Sequence, residues 1–208
     1  MHRDRLIASI ALAILFFAAG LFIGYVITQQ KIAKVESMEN KLRFDIMSIE
    51  LESTLASENP CLANPKTLEE ALDEVTMKIS FLENQLGKNN PKVLELKKYY
   101  SLLEIRHYLF MQARKEKCDE NYSLILFFYS NKPENIDLSE KQGFVLDYLK
   151  DEYTIARVKV YSLDYDLDLG VIKSMIQVYN ITATPSLVID DSVYLGFHDK
   201  EELEKLFS

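Results

Sequence analysis

Pro185 stands directly in front of Ser186-Leu187-Val188-Ile189, an apolar run with the character of a buried strand. Proline has no N–H to give to a sheet, so this position belongs at a strand's first residue, at an edge or in a turn. Thr184 before it is pushed toward extended geometry. On its own the pair describes an ordinary strand start. The order of elements around it says more.

From Ser123 onward the chain alternates strands with helices. Residues 123–130 form one continuous apolar run, as expected for a central strand buried on both faces. A helix is predicted over 137–150, with Phe144, Leu146 and Leu149 turned inward. Residues 156–161 alternate as a second strand, and a second helix carries Val171, Ile172, Met175, Ile176 and Tyr179. Strands over 186–190 and 193–196 follow, joined by a tight acidic turn, and a helix over 200–207 closes the chain. The order βαβ, α, β-hairpin, α builds a small mixed sheet covered on both faces. Asp164, Asp166 and Asp168 alternate as in a calcium loop, but Leu169 and Met175 stand where such a loop needs Gly and Glu. Asp166 or Asp168 is expected instead to cap the following helix.

This order resembles the thioredoxin-like fold over roughly residues 120–208. Three local marks carry the resemblance. The first strand ends in Phe128-Tyr129-Ser130, Ala183-Thr184-Pro185-Ser186 precedes the third, and Gly196 lies ahead of the closing helix at Glu201-Glu202-Leu203. In that family the proline is cis and sits beside the active site. The residue before it offers backbone hydrogen bonds to an extended substrate. The resemblance therefore implies a cis Thr184–Pro185 bond lining a groove, and an X–Pro bond makes the cis form cheap, ~0.5–1 kcal/mol above trans.

Oxidoreductases of the family carry CxxC at the N-terminus of the first helix, where the helix dipole lowers a thiol's pKa. The corresponding loop here, residues 131–143, has no cysteine. Ile136 and Ser139 match the two cysteine positions best, and an earlier placement within residues 131–134 is equally thiol-free. Neither isoleucine nor serine exchanges disulfides, so dithiol chemistry is not expected. What the resemblance then implies is a partner-binding surface made by Ile136, Ser139, Thr184 and Pro185. No catalytic residue, metal ligand or cofactor is expected.

The N-terminal half has a different texture. Residues 6–28 carry no charge and would reach ~34 Å as a helix, enough for a bilayer core. The expectation is an uncleaved signal anchor, a single transmembrane helix with a cytoplasmic N-terminus and an extracytoplasmic C-terminal domain. Cleavage near Ala18-Ala19-Gly20 is the competing expectation. Beyond it, Ile32, Val35, Met38, Leu42, Ile46 and Ile49 share one helical face. This stalk either forms a coiled coil or packs on the domain below. Gly20 and Gly24 have GxxxG spacing, which lets two helices approach closely, and a homodimer through them and the stalk is expected.

A helical hairpin is predicted next. Thr67 to Glu70 forms a capping box just after Pro65, followed by a stripe of Leu68, Leu72, Val75, Ile79, Leu82 and Leu86. After a turn at 87–91, Val93, Leu96, Tyr100, Leu103, His107 and Phe110 make the second stripe. His107 is expected to be packed in the core rather than to bind a ligand. Cys61 lies just before the first hairpin helix and Cys118 just after the second, and antiparallel packing brings those two ends together, away from the turn. Their placement predicts a structural disulfide formed in an oxidising compartment, against the alternative of two unrelated thiols.

The expected fold class is therefore α/β, a thioredoxin-like mixed-sheet domain (120–208) preceded by a transmembrane helix (1–30), a helical stalk (31–58) and a helical hairpin (59–119). With 24 Lys and Arg against 32 Asp and Glu, a net charge of −8, the chain lacks the basic footprint of nucleic-acid binding. The expected function is that of a membrane-anchored, redox-inactive thioredoxin-like protein that binds or scaffolds an extracytoplasmic partner. Two alternatives stand beside it: a thiol–disulfide oxidoreductase relative using Cys61 and Cys118, or a structural subunit of a membrane complex.

Overall fold

The computed structural model of the chain describes residues 2–62, 64–88, 90–153 and 157–207, with their side chains except at 2–11, 27–29, 31–35, 38, 39, 42, 57 and 67. The chain divides into two compact units, residues 1–44 and 45–208. Helix α1 runs His2–Glu58. Its described side chains from Leu12 to Val26 are exposed, Phe16, Phe17 and Phe22 among them. A Cβ added at Gly20 or Gly24 would meet nothing within 4 Å.

Among the described residues no helix is long and apolar enough to cross a membrane. That finding corrects the transmembrane anchor, and with it the single-pass localisation and the orientation that depended on it. Residues 6–11 and 27–28, the two ends of the predicted span, lie outside the described side chains.

In the second unit the last turns of α1 lie against the hairpin. Ile46, Ile49 and Ala56 are buried, Lys78 donates to Asp45 at 2.5 Å, and Arg106 meets Glu50 at 3.3 Å. Of the predicted stripe, Ile46 and Ile49 thus pack on the domain, and Ile32, Val35, Met38 and Leu42 lie outside the described side chains.

The hairpin consists of α2 (Pro65–Leu86) and α3 (Pro91–Cys118). Both helices start the same way. An asparagine side chain caps the first turn, Asn64 accepting from the Lys66 N–H at 3.2 Å and Asn90 from the Lys92 N–H at 3.0 Å. A proline follows at the first helical position, where its missing N–H costs nothing. Helix α2 therefore begins ahead of the expected Thr67 capping box. It ends at Gly87, whose φ of 91° suits glycine. Leu68, Leu72, Val75, Ile79 and Leu82 pack against Val93, Leu96, Leu103 and Phe110, all under a tenth exposed. Cys61 and Cys118 are joined by a disulfide, with Cα atoms 5.6 Å apart. Beside it the Arg114 guanidinium binds the Glu120 carboxylate and the Pro60 carbonyl.

The remaining elements are β1 (Ser123–Tyr129), α4 (Ile136–Tyr153), β2 (Val158–Asp164), α5 (Gly170–Val178), β3 (Ser186–Ile189), β4 (Ser192–Leu195) and α6 (Lys200–Phe207). They form a four-stranded sheet of order β2-β1-β3-β4. Strand β1 runs parallel to β2 and antiparallel to β3, which pairs antiparallel with β4. Residues 124–128 of β1 are all buried, as a continuous apolar run on a central strand requires. On one face Ile125, Phe127 and Leu187 pack with Leu146, Leu149 and Leu203 of α4 and α6. The β3–β4 turn is made by Asp190 and Asp191, both at positive φ (44° and 72°), the geometry a two-residue hairpin needs to follow strand twist.

Some expectations shift. Strand β2 extends to Asp164, three residues past its expected end, and residue 156 lies outside the described residues. Phe144, expected inward, is 73% exposed. Helix α5 is preceded by Leu169 with no side-chain cap. Asp166 and Asp168 serve other partners.

Candidate functional site

The residues expected to bind a partner gather at one end of the sheet, where β1 and β2 finish. Register places them there. Phe128 pairs with Ser186, so one further step of the antiparallel ladder sets Pro185 level with Tyr129. The Thr184–Pro185 bond is cis. Pro185 is buried and Thr184 half-buried. The Gly196 N–H donates to the Pro185 carbonyl at 2.9 Å, and Ser186 Oγ donates to the Ala183 carbonyl at 2.7 Å. These bonds hold the turn before β3 against β4.

Across from it, Ile136 opens α4 and Ser139 lies one turn further on. Ser139 is 4% exposed, and its Oγ accepts from the Ser130 N–H at 3.1 Å. That bond ties the helix start to the last residue of the β1 run. Ser130 Oγ in turn donates to Asp166 at 2.5 Å and accepts from the Lys132 N–H at 3.2 Å. Lys132 pairs with the same Asp166 at 2.6 Å. A cleft of about 250 Å³ opens beside this start, lined by Lys97, Tyr129, Asn131, Ile136, Ser139 and Glu140 among others. Thr184 and Pro185 do not line it. The structure thus brings Ile136 and Ser139 to one cleft and leaves the proline turn beside it, joined through the end of β1.

The cleft's polar wall comes from the hairpin. Lys97 of α3 is 7% exposed, with its ammonium 3.0 Å from Asp164, 3.4 Å from Glu83 and 5.5 Å from the Tyr129 ring centre. Burial works against its charge, but Tyr129, Asp164 and Glu83 outweigh burial and hold the group above the ordinary lysine range. Asp164 also accepts from Asn131 Nδ2 at 3.0 Å and from the Asp166 N–H at 3.1 Å. Every partner of this carboxylate is a donor, so the pair is satisfied in place. Lys97 was legible as an anomaly, a charge set inside the apolar face between Leu96 and Tyr100. Its partner was not.

Neither cysteine lies at the cleft. Both cysteines are in the disulfide, and among the described residues none is free. The disulfide precedes the start of β1 by five residues at Cys118, whereas the cleft lies at the strand's far end, ~20 Å away along seven residues. It therefore fits an oxidoreductase only loosely. Among the described residues no group of three or more His, Cys, Asp or Glu could hold a metal ion.

No protein-family model matches the chain, and no curated protein matches it. Among solved structures, a malarial protein is similar at 16% identity and a TM-score of 0.33, over 42% of this chain and 94% of the other. Chloroplastic thioredoxin z is similar at 18% identity and a TM-score of 0.34, over 46% of this chain and 84% of the other. Scores of this size carry no weight for function, and the sheet of this chain is defined by its own strand order and registers.

Proposed function

We propose that the sheet domain is a binding module that holds an extended segment of a partner protein at the end of the sheet carrying Ile136, Ser139, Thr184 and Pro185, without reacting with it. One observation supports the reading: Ile136 and Ser139 line a cleft at the finish of β1 and the register sets Pro185 level with Tyr129 beside it, while both thiols are consumed in a disulfide at the strand's other end. A half-buried Thr184 beside an open cleft offers backbone and side-chain contacts to a chain lying across it, the use to which the resemblance assigns this position. Polar wall groups that already have partners, such as Lys97 with Asp164, would orient such a segment rather than transform it.

Selection of displayed unstructured peptides against the full chain tests this. Peptides that bind should lose at least tenfold in affinity, about 1.4 kcal/mol, when Ile136→Arg or Thr184→Arg is introduced. Met77→Arg, on the exposed face of α2, should leave them unaffected. Equal binding to all three variants would remove the site. The wild-type chain should also give no turnover of a disulfide substrate with a dithiol reductant above the uncatalysed rate, since no thiolate can form at the cleft. Turnover abolished by Cys118→Ser would favour the oxidoreductase alternative instead.

A further inference from the structure

Strand β2 is an edge strand, and its outer edge faces the hairpin. The Ser123 N–H bonds the Arg157 carbonyl and the Tyr165 N–H bonds the Tyr129 carbonyl, so the odd residues of β2 face β1. Val158, Val160 and Ser162 therefore turn their backbone groups outward. Glu104 of α3 stands where a neighbouring strand would: its Oε1 accepts from the Ser162 N–H at 3.2 Å. One helical turn on, His107 Nδ1 lies 3.0 Å from the Tyr161 hydroxyl. Glu104 and His107 are 5% and 4% exposed. Yet Glu104 Oε2 and His107 Nε2 have no partner among the described residues, and buried polar atoms are rarely left that way. Both residues line one cavity of about 70 Å³, together with Tyr100, Lys150, Val160 and Tyr161. At roughly 15 Å³ per water that is room for on the order of four waters, and too little for a larger ligand.

We propose that this pocket, which opens to solvent beside Asp73, is a hydration site at whose buried end ordered waters join Glu104 Oε2, His107 Nε2 and the outward backbone of Val160 into one network that clasps the hairpin to the sheet edge. Burial pushes the Glu104 carboxyl up to about 8 and the His107 imidazole down to about 4. Both groups are neutral at pH 6.5 to 7. Because the Ser162 N–H needs Oε1 as its acceptor, the carboxyl proton sits on Oε2 and is donated into the cavity. Other titratable groups face the pair from each packed element: Glu69 and Asp73 on α2, Tyr100 on α3, Lys150 on α4, and Lys159 and Tyr161 on β2. Glu69 and Lys159 bind each other, and burial of Glu104 is opposed, in decreasing order, by the Ser162 N–H, the Tyr100 hydroxyl and Lys150.

The clasp is pH-dependent, with a definite sign. Between about 4.5 and 8 the folded chain keeps the Glu104 proton that the unfolded chain releases, so this contribution falls as pH rises to 8. Between about 6.5 and 4 the unfolded chain binds a proton at His107 that the folded chain refuses, so that contribution falls as pH drops. The two cancel from about 4.5 to 6.5, and the loss appears from 6.5 to 8.

Infrared difference spectroscopy on the full chain reads the proton directly. A protonated-carboxyl band should be present at pH 6.5, titrate with a midpoint about 8 and be missing in Glu104→Gln. A crystal structure at pH 6.5 should place waters within hydrogen-bond distance of Glu104 Oε2 and His107 Nε2, and His107→Phe should lose only those on the imidazole. The wild-type unfolding midpoint in urea should fall from pH 6.5 to 8, a fall that Glu104→Gln flattens. An ionised Glu104 at pH 6.5, a dry cavity, or a solute other than water in it would each overturn the proposal. If Glu104→Gln fails to fold, the wild-type titration and the crystal structure decide alone.

Discussion

Lys97→Met should destabilise the sheet domain by about 3–5 kcal/mol, because it leaves Asp164 and Glu83 facing each other in a buried space without their cation. Asp164 in particular cannot turn to water, for its side chain is 6% exposed against 19% for Glu83. The loss comes mainly from the abandoned carboxylate rather than from the missing contact. Replacing Asp164 as well, in Lys97→Met with Asp164→Leu, should therefore recover part of the loss rather than add to it. Recovery stays partial, since Asn131 and the Asp166 N–H also lose their acceptor. Urea unfolding of the single and double variants and wild type gives the comparison. A single-variant loss below about 1 kcal/mol, the range of exposed pairs, would show that water reaches the pair and that the cleft wall is not a fixed structure.

Removing the disulfide should have an effect of similar size, through the unfolded chain. Cys61 and Cys118 are 57 residues apart, and a cross-link closing a loop of this length restricts the unfolded ensemble by about 2–4 kcal/mol. The loss should also have a location. The bond ties the entry to α2 to the exit of α3, next to the Arg114 contacts with Glu120 and Pro60. Amide exchange should therefore rise first at the Pro65 end of α2 and the Cys118 end of α3, while the buried centre of β1 keeps its protection. Intact mass after alkylation should show one internal bond in protein prepared without reductant. An unfolding midpoint unchanged by reductant, with the bond gone, would remove the stabilising role.

Much of the fold was legible because it is written in neighbours. The two hairpin stripes repeat at three and four residues, a proline stands where each of those helices begins, and β1 is an unbroken apolar run. Those signals act within one turn or one strand. The structure bears out the hairpin helices, the order of strands and helices after Ser123, and the disulfide. Boundaries were harder. Nothing local marks the end of β2, where Ser162 interrupts the apolar alternation and Leu163 and Asp164 still belong to the strand.

The candidate site divides along the same line. Thr184–Pro185 and the thiol-free start of α4 were named as a site through the resemblance to the thioredoxin-like fold, while local backbone restriction by itself marked only a strand start at Pro185. Lys97 with Asp164, and Glu104 with Ser162, could not. They lie 67 and 58 residues apart in the chain, and a buried charge reveals only that it needs a partner, not which one. Phe144 makes the same point from the opposite side, for it is apolar yet exposed because α4 turns Leu146 and Leu149 to the sheet instead. The order of residues was enough to say which segments after Pro60 become helices and strands, and where the thiols and the proline fall. Which helix faces meet the sheet, and which buried polar groups find each other, was settled in the folded arrangement alone, because those energies depend on distances in space between residues remote along the chain.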